Sequence, residues 1–89
     1  MPLILLIALV SSHTVLLTWN PSPSPDIAHY NVMRQFQCAG AWERHGKTAQ
    51  TSFLDGKVSD AKTYCYEVTA TNKAKQTSNP SNVVTAVIP

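Results

Sequence analysis

The stretch TYCYEVTAT, residues 63–71, decides the fold of this chain. It is rich in β-branched and aromatic residues, which favour a pleated and partly buried strand. Alternation along it separates an apolar set, Tyr64, Tyr66, Val68 and Ala70, from a second set, Cys65, Glu67, Thr69 and Thr71. We therefore expect a central β-strand, against whose apolar face the other segments pack.

Length and composition indicate one small folded domain over residues 1–89. The 89 residues are 44% hydrophobic and 13% charged, with a formal net charge of +2. A chain of this length buries only about two-thirds of its unfolded surface, so its core is thin. The cations are scattered along the sequence instead of forming a basic stripe, so we do not expect nucleic acid as a partner.

Two cysteines, Cys38 and Cys65, are too few for a structural zinc site, which usually takes four ligands in two close pairs. A disulfide bond is favoured over the alternative of two unrelated thiols. Closing a loop of this length would contribute roughly 3.5 kcal/mol in the chain-entropy description. A disulfide would also imply an oxidising compartment, which predicts an extracellular location or the surface of a cell or virion.

The first ten residues are almost wholly apolar. They are too short for a membrane span of about 20 residues, and as a secretory leader they lack a positive n-region and a clear cleavage site. We expect an apolar first strand, with a residual leader as the alternative. In this strand the predicted inward residues are Leu5, Ile7 and Leu9, and the predicted outward residues, which form a contact surface, are Ile4, Leu6, Ala8 and Val10.

Further short strands follow, separated by turn signals. Residues 15–19 predict a strand with Trp19 as a core anchor, and residues 20–26, with proline at alternate positions, predict an extended loop. Strands are also expected over residues 27–36, 42–45, 48–54 and 81–88. Seven strands in so short a chain predict an all-β sandwich.

The apolar and turn residues of these strands also carry a family resemblance. The matching runs are Val15-x-Leu17-x-Trp19, Ile27-x-x-Tyr30-x-Val32, Thr51-Ser52-Phe53-x-Asp55, Tyr64-x-Tyr66-x-Val68-x-Ala70, Pro80-Ser81-Asn82 and Pro89. Together they resemble a bacterial-type fibronectin type III domain, a seven-stranded immunoglobulin-like β-sandwich. The resemblance covers nearly the whole chain, but it rests on core residues and so bears on fold more than on function.

The resemblance implies roles for three residues. Tyr64 would form a tyrosine corner, with its hydroxyl bonded to backbone within residues 58–61. The second strand has no cysteine, unlike that of a true immunoglobulin domain. Antiparallel pairing of the third and sixth strands would bring Cys38 towards Cys65. Strict alternation points the two side chains to opposite faces, so a bridge requires a bulge or turn between residues 36 and 38.

Catalytic and metal-binding patterns are absent from the sequence. The histidines, His13, His29 and His45, have no metal-ligand spacing and are predicted to be solvated, and the acidic residues are isolated from one another. We therefore expect no enzymatic activity, cofactor or metal. The predicted function is a structural or adhesive module that contacts copies of itself or a neighbouring domain, in its sharpest form a filament or virion-surface subunit. The alternative is a spacer or accessory module of a larger secreted enzyme, close to polysaccharide.

Overall fold

Seven β-strands form two antiparallel sheets in the computed structural model, which describes residues 4–89. The strands are β1 (Leu6–Val10), β2 (Val15–Trp19), β3 (Ile27–Phe36), β4 (Glu43–Thr48), β5 (Ser52–Asp55), β6 (Thr63–Asn72) and β7 (Val84–Val87). One sheet has the order β1-β2-β5 and the other β4-β3-β6-β7. The prediction of an all-β, seven-stranded sandwich is confirmed.

Strand β6 lies at the centre of the four-stranded sheet, between β3 and β7. Its predicted apolar face is buried, since Tyr64, Tyr66, Val68 and Ala70 are each at most 2% exposed. Trp19 reaches this core from the opposite sheet and packs edge-on against Tyr30 at 5.6 Å between ring centroids. The strand that the sequence marks most clearly is therefore the one around which the core is built.

The predicted orientation of the first strand is wrong. Leu6 is 2% exposed and Ile4 is 5% exposed, whereas Ile7, which was expected to point inward, is 57% exposed. The register explains the inversion, because Leu6 lies opposite the inward-facing Trp19, and directly opposed residues of an antiparallel pair share a face. Ala8 and Val10 also pack against the core. The four residues predicted as a contact surface therefore belong to the interior.

Asn82 fixes β1 to the segment before β7. Its side-chain Oδ1 accepts a hydrogen bond from Leu6 N at 2.8 Å, and its Nδ2 donates to Leu6 O at 3.0 Å. The amide thus satisfies both backbone groups of one residue, as a neighbouring strand would do. This contact ties the three-stranded sheet to the end of the four-stranded one.

The middle strands differ in their bounds from the predicted ones. Strand β4 runs through Gly46 instead of ending before it, and β5 begins only at Ser52. The ring of Phe53 lies directly over Gly46, where an added Cβ would be 2.7 Å from two ring carbons. The glycine is therefore required by the close approach of an aromatic ring within a strand, and it does not mark a turn.

Candidate functional site

Cys38 and Cys65 form the disulfide bond that the sequence favoured, with their Cα atoms 5.0 Å apart. Strand β3 ends at Phe36, and the next two residues, Gln37 and Cys38, adopt positive φ angles of 56° and 53°. This left-handed turn removes Cys38 from the strand alternation and directs it towards β6. The disulfide bond therefore joins the end of β3 to the start of β6, which is its neighbour in the same sheet.

Tyr64 forms the predicted tyrosine corner. Its hydroxyl accepts a hydrogen bond from Ser59 N at 2.8 Å, within the backbone segment where the bond was expected. The guanidinium of Arg34 lies over the Tyr64 ring at 4.9 Å from its centroid, and Phe36 packs against the ring edge-on. These contacts give Tyr64 a structural role at the end of the sandwich.

An ionic cluster that sequence reasoning missed surrounds Asp55, whose side chain is fully buried. Arg34 Nη1 donates to Asp55 Oδ2 at 3.0 Å, and the Tyr66 hydroxyl donates to the same oxygen at 2.6 Å. The other oxygen, Oδ1, lies 2.8 Å from His45 Nε2 and accepts a hydrogen bond from Lys57 N at 2.9 Å. Four groups from different parts of the chain thus converge on one carboxylate.

The cluster changes the protonation behaviour of its members. Burial alone would raise the pKa of Asp55, but hydrogen bonds from Tyr66, from Lys57 N and from His45 outweigh burial and hold this pKa below its ordinary value. The pKa of Tyr66 is strongly raised, by burial first and then by its hydrogen bond to the Asp55 carboxylate. At neutral pH the cluster therefore holds an ionised aspartate and a neutral tyrosine.

A β-bulge explains how His45 reaches this cluster. Val32 pairs with Gly46, but the next residue, Met33, pairs with Arg44, so His45 is the extra residue on β4. Its side chain is only 15% exposed, which corrects the prediction of a solvated surface histidine. A weak signal was available, since glycine within a strand pattern is typical of bulges.

The Asp55 cluster joins the two sheets, since Asp55 ends β5 and its partners Arg34 and Tyr66 lie on β3 and β6. Within residues 4–89, His45 makes no hydrogen bond to a serine, threonine or cysteine side chain that would serve as a nucleophile. The pair His13–Asp60 is exposed on both sides and lies elsewhere on the surface. In the same part of the chain, no three His, Cys, Asp or Glu side chains come together as metal ligands.

An exposed apolar surface lies on the outer side of the three-stranded sheet. Leu9 pairs with Leu16, and Leu16 pairs with Leu54, so three leucines form a row across all three strands. Leu5 and Ile7 continue this surface along β1, and the exposed fractions of Leu5, Ile7, Leu9 and Leu54 lie between 57% and 68%. We call these five residues, Leu5, Ile7, Leu9, Leu16 and Leu54, the apolar face.

The apolar face carries no charge. Strands β1, β2 and β5 contain a single ionisable carboxylate, Asp55, and its side chain points into the protein. Polar neighbours on the same face are the uncharged Thr18 and Ser52. Exposed strands normally carry charged side chains that prevent association, so this face lacks the usual protection.

Solved structures identify the fold, although no protein-family model and no curated protein matches the sequence. A Fn3-like protein from Clostridium thermocellum matches with a TM-score of 0.79 and 25% identity over 94% of this chain and 88% of its own. The pectate lyase PelI from Erwinia chrysanthemi, solved with tetragalacturonic acid, matches with a TM-score of 0.82 and 20% identity over 96% of this chain. The twitchin kinase region from C. elegans matches with a TM-score of 0.80 and 21% identity over 90% of this chain.

These matches place the sandwich in the immunoglobulin-like class. Its particular form is that of the fibronectin type III domain, as the sequence resemblance predicted. The chain spans only 15% of the twitchin chain and 28% of the pectate lyase chain, so in both proteins the similar part is a minor one. The similarity therefore describes a module and not the activity of either protein.

Proposed function

We propose that this protein is a non-enzymatic structural module that acts outside the cytoplasm and associates with a second copy of itself through the apolar face. The disulfide bond supports an oxidising environment. No helix in residues 4–89 is long and apolar enough to cross a membrane. The observation that carries the proposal is the uncharged outer surface of the three-stranded sheet.

A second copy is the occupant that this surface fits best. In a two-fold symmetric contact the same patch meets itself, so a net charge on the patch would be repelled by the same net charge on the second copy. The apolar face has none, and its row of leucines across three strands is self-complementary in chemistry. A two-fold contact of this kind closes at a dimer, so a filament or surface array would need a second contact surface in addition.

The size of the apolar face predicts a weak contact. Fully burying a leucine or isoleucine side chain contributes about 1.5–3 kcal/mol. Covering the exposed parts of Leu5, Ile7, Leu9 and Leu54 on two copies therefore contributes roughly 7–14 kcal/mol. Association itself costs about 4–15 kcal/mol in lost freedom. The balance is small, so we expect association that depends strongly on protein concentration.

Sedimentation equilibrium from about 10 µM to about 1 mM tests this proposal. The mass of the unaltered protein is expected to rise with concentration, and the double variant Ile7→Ser/Leu9→Ser is expected to stay monomeric. Deleting β1 would be a poor test, because Ile4 and Leu6 belong to the core.

The matched control is Val83→Ser/Val87→Ser, which removes two apolar side chains that are 52% and 64% exposed outside the apolar face. It is expected to associate like the unaltered protein. A monomer at every concentration would contradict the proposal, and so would an equal effect of both double variants.

A second candidate function is that of an accessory module within a larger secreted enzyme. The observation that favours it is the match to a minor part of the pectate lyase PelI chain. In that role the module is a monomeric spacer, and the sequence flanking this chain in its gene would encode a catalytic domain. Sedimentation as a monomer together with such a flanking domain would favour this function over self-association.

A further inference from the structure

A shallow open cavity of about 640 Å³ lies on the outer face of the four-stranded sheet, opposite the core. Its walls include a cross-strand row in which Met33 pairs with Arg44 on one side and with Glu67 on the other. Neighbouring strands are about 4.8 Å apart, so a cation and an anion stand roughly 10 Å apart with a thioether between them. The row is long enough to lie under a ring-sized ligand.

The next row holds a connected set of short polar side chains. Asn31 is only 6% exposed, and its Nδ2 donates to the hydroxyls of Thr69 and Thr71, both at 3.0 Å. Thr71 is in turn bonded to the hydroxyl of Thr77 at 3.0 Å. Because both threonine oxygens accept from Asn31, their own protons are directed away from it. The Thr69 hydroxyl can therefore donate towards the cavity, whereas Thr71 and Thr77 share one hydroxyl proton between them.

Several polar groups of this cavity have unused hydrogen-bonding capacity. Within the described residues, Asn31 Oδ1 receives no hydrogen bond. It is not fully buried, because Trp19 Nε1 is the one fully buried side-chain polar atom there that lacks a partner. Asn31 Oδ1 is therefore accessible from the cavity that Asn31 lines. Arg44 and Glu67 form no ion pair in this part of the chain. Glu67 is half-buried, and this burial raises the pKa of its carboxyl group.

We propose that this outer face binds a neutral oligosaccharide. Adjacent sugar hydroxyls act as both donors and acceptors, and the cavity offers both, with Arg44 as a donor, Glu67 and Asn31 Oδ1 as acceptors, and Thr69 as either. The balanced charge of Arg44 and Glu67 suits an uncharged ligand better than an anionic polymer, which the carboxylate would repel.

The apolar parts of the cavity fit the same ligand class. Met33 and Pro80 are the apolar side chains of the lining, and they offer a surface for the C–H face of a sugar ring. Among the described lining residues there is no Phe, Tyr or Trp, and the only aromatic ring is the small imidazole of His29. The hydrophobic contribution is therefore small, and we expect dissociation constants in the range of about 1 mM. The open shape accommodates a segment of a longer chain.

This inference does not depend on self-association, because the site and the apolar face lie on different sheets. Amide chemical shifts of the full chain are followed by NMR during titration with four separate neutral probes: cellohexaose, laminarihexaose, xylohexaose and mannohexaose. Each probe is added to about 10 mM, which exceeds the expected dissociation constant about tenfold. If the unaltered protein associates, the titrations use the Ile7→Ser/Leu9→Ser variant, which is expected to be monomeric. Oligosaccharide binding can then be measured whether or not the proposal of self-association holds.

The expected result is saturable shift changes, with at least one probe, at the amides of Asn31, Met33 and Thr69. Arg44→Ala and Glu67→Gln are expected to weaken binding about tenfold each, corresponding to one lost charged hydrogen bond. The matched control Lys62→Ala removes an exposed cation outside the cavity and should leave binding unchanged. Absence of saturable shifts with all four probes, or equal weakening by Lys62→Ala, would overturn the proposal.

Discussion

The buried carboxylate of Asp55 makes the fold sensitive to a single substitution, Asp55→Ala. The change removes the carboxylate that Arg34, the Tyr66 hydroxyl, Lys57 N and His45 Nε2 contact. The Tyr66 hydroxyl and Lys57 N lose their hydrogen-bond acceptor, whereas Arg34 Nη1 keeps its hydrogen bond to Lys57 O at 2.8 Å. Breaking a buried ion pair by removing one partner costs about 3–5 kcal/mol. A domain of this size has a total stability of about 5–15 kcal/mol, so the variant should lose a large part of it.

Guanidinium unfolding of the oxidised protein at neutral pH, followed by tryptophan fluorescence, measures this loss. Asp60→Ala is the matched control, because Asp60 pairs with His13 where both side chains are at least 67% exposed. Exposed pairs of this kind contribute at most about 1 kcal/mol, so the control should remain close to the unaltered protein. Asp55→Asn, which keeps the size and one carbonyl acceptor, should fall between the two. A loss below about 1 kcal/mol for Asp55→Ala would refute the reasoning.

Four further predictions concern the same fold. The pKa of Asp55 is lowered by folding, so its contribution is complete above the unfolded value of about 3.9 and disappears as the pH falls through the lower folded value. Stability measured between about pH 2 and 6 should therefore fall on acidification more steeply for the unaltered protein than for Asp55→Asn, and parallel curves would count against this. Replacing both cysteines with serine should lower the unfolding free energy by roughly 3.5 kcal/mol, and an unchanged denaturation midpoint would be inconsistent with closing a loop between cysteines 27 positions apart. Gly46→Ala should cost about 1–3 kcal/mol in thermal unfolding, because its Cβ meets the Phe53 ring, and a neutral result would show that the ring moves freely. Asn82→Ala should cost about 1–3 kcal/mol and increase amide hydrogen exchange at Leu6, and unchanged exchange there would show that β1 is held by packing alone.

The sequence alone predicted those features of the fold that depend on the residue pattern within a single strand. Alternation in β6 identified its buried face, and the alternation of the second strand indicated Trp19 as a core anchor, whereas the tyrosine corner at Tyr64 was implied by the family resemblance. The inference for β6 holds because that strand has one apolar side and one mostly polar side. In β1 both sides are apolar, so the pattern contains no information on orientation, and only the register with β2 decides which side is buried.

The Asp55 cluster depends on contacts between residues that are distant in the sequence. Arg34 and Tyr66 lie on adjacent strands of one sheet, while Asp55 is the last residue of β5 in the other. His45 enters the cluster only because a bulge adds one residue to β4. Neither the packing of two sheets nor a single bulge leaves a periodic pattern in the sequence. The contacts of Asp55 could therefore not be predicted, and the acidic residues appeared isolated from one another. The polar cavity on the outer face was missed for the same reason, since three strands must be aligned before it exists.

The disulfide bond has a consequence for how the oxidised protein opens. It connects the end of β3 to β6, which are already neighbours in the four-stranded sheet, and no disulfide bond ties the three-stranded sheet to the four-stranded one. Sliding of β3 along β6 is therefore blocked, whereas separation of the two layers is opposed only by side-chain packing and by polar ties such as the Asp55 cluster. Transient openings under oxidising conditions should accordingly separate the two sheets and expose the side chains of Tyr66 and Val68 to solvent. The pairing of β3 with β6 should stay intact.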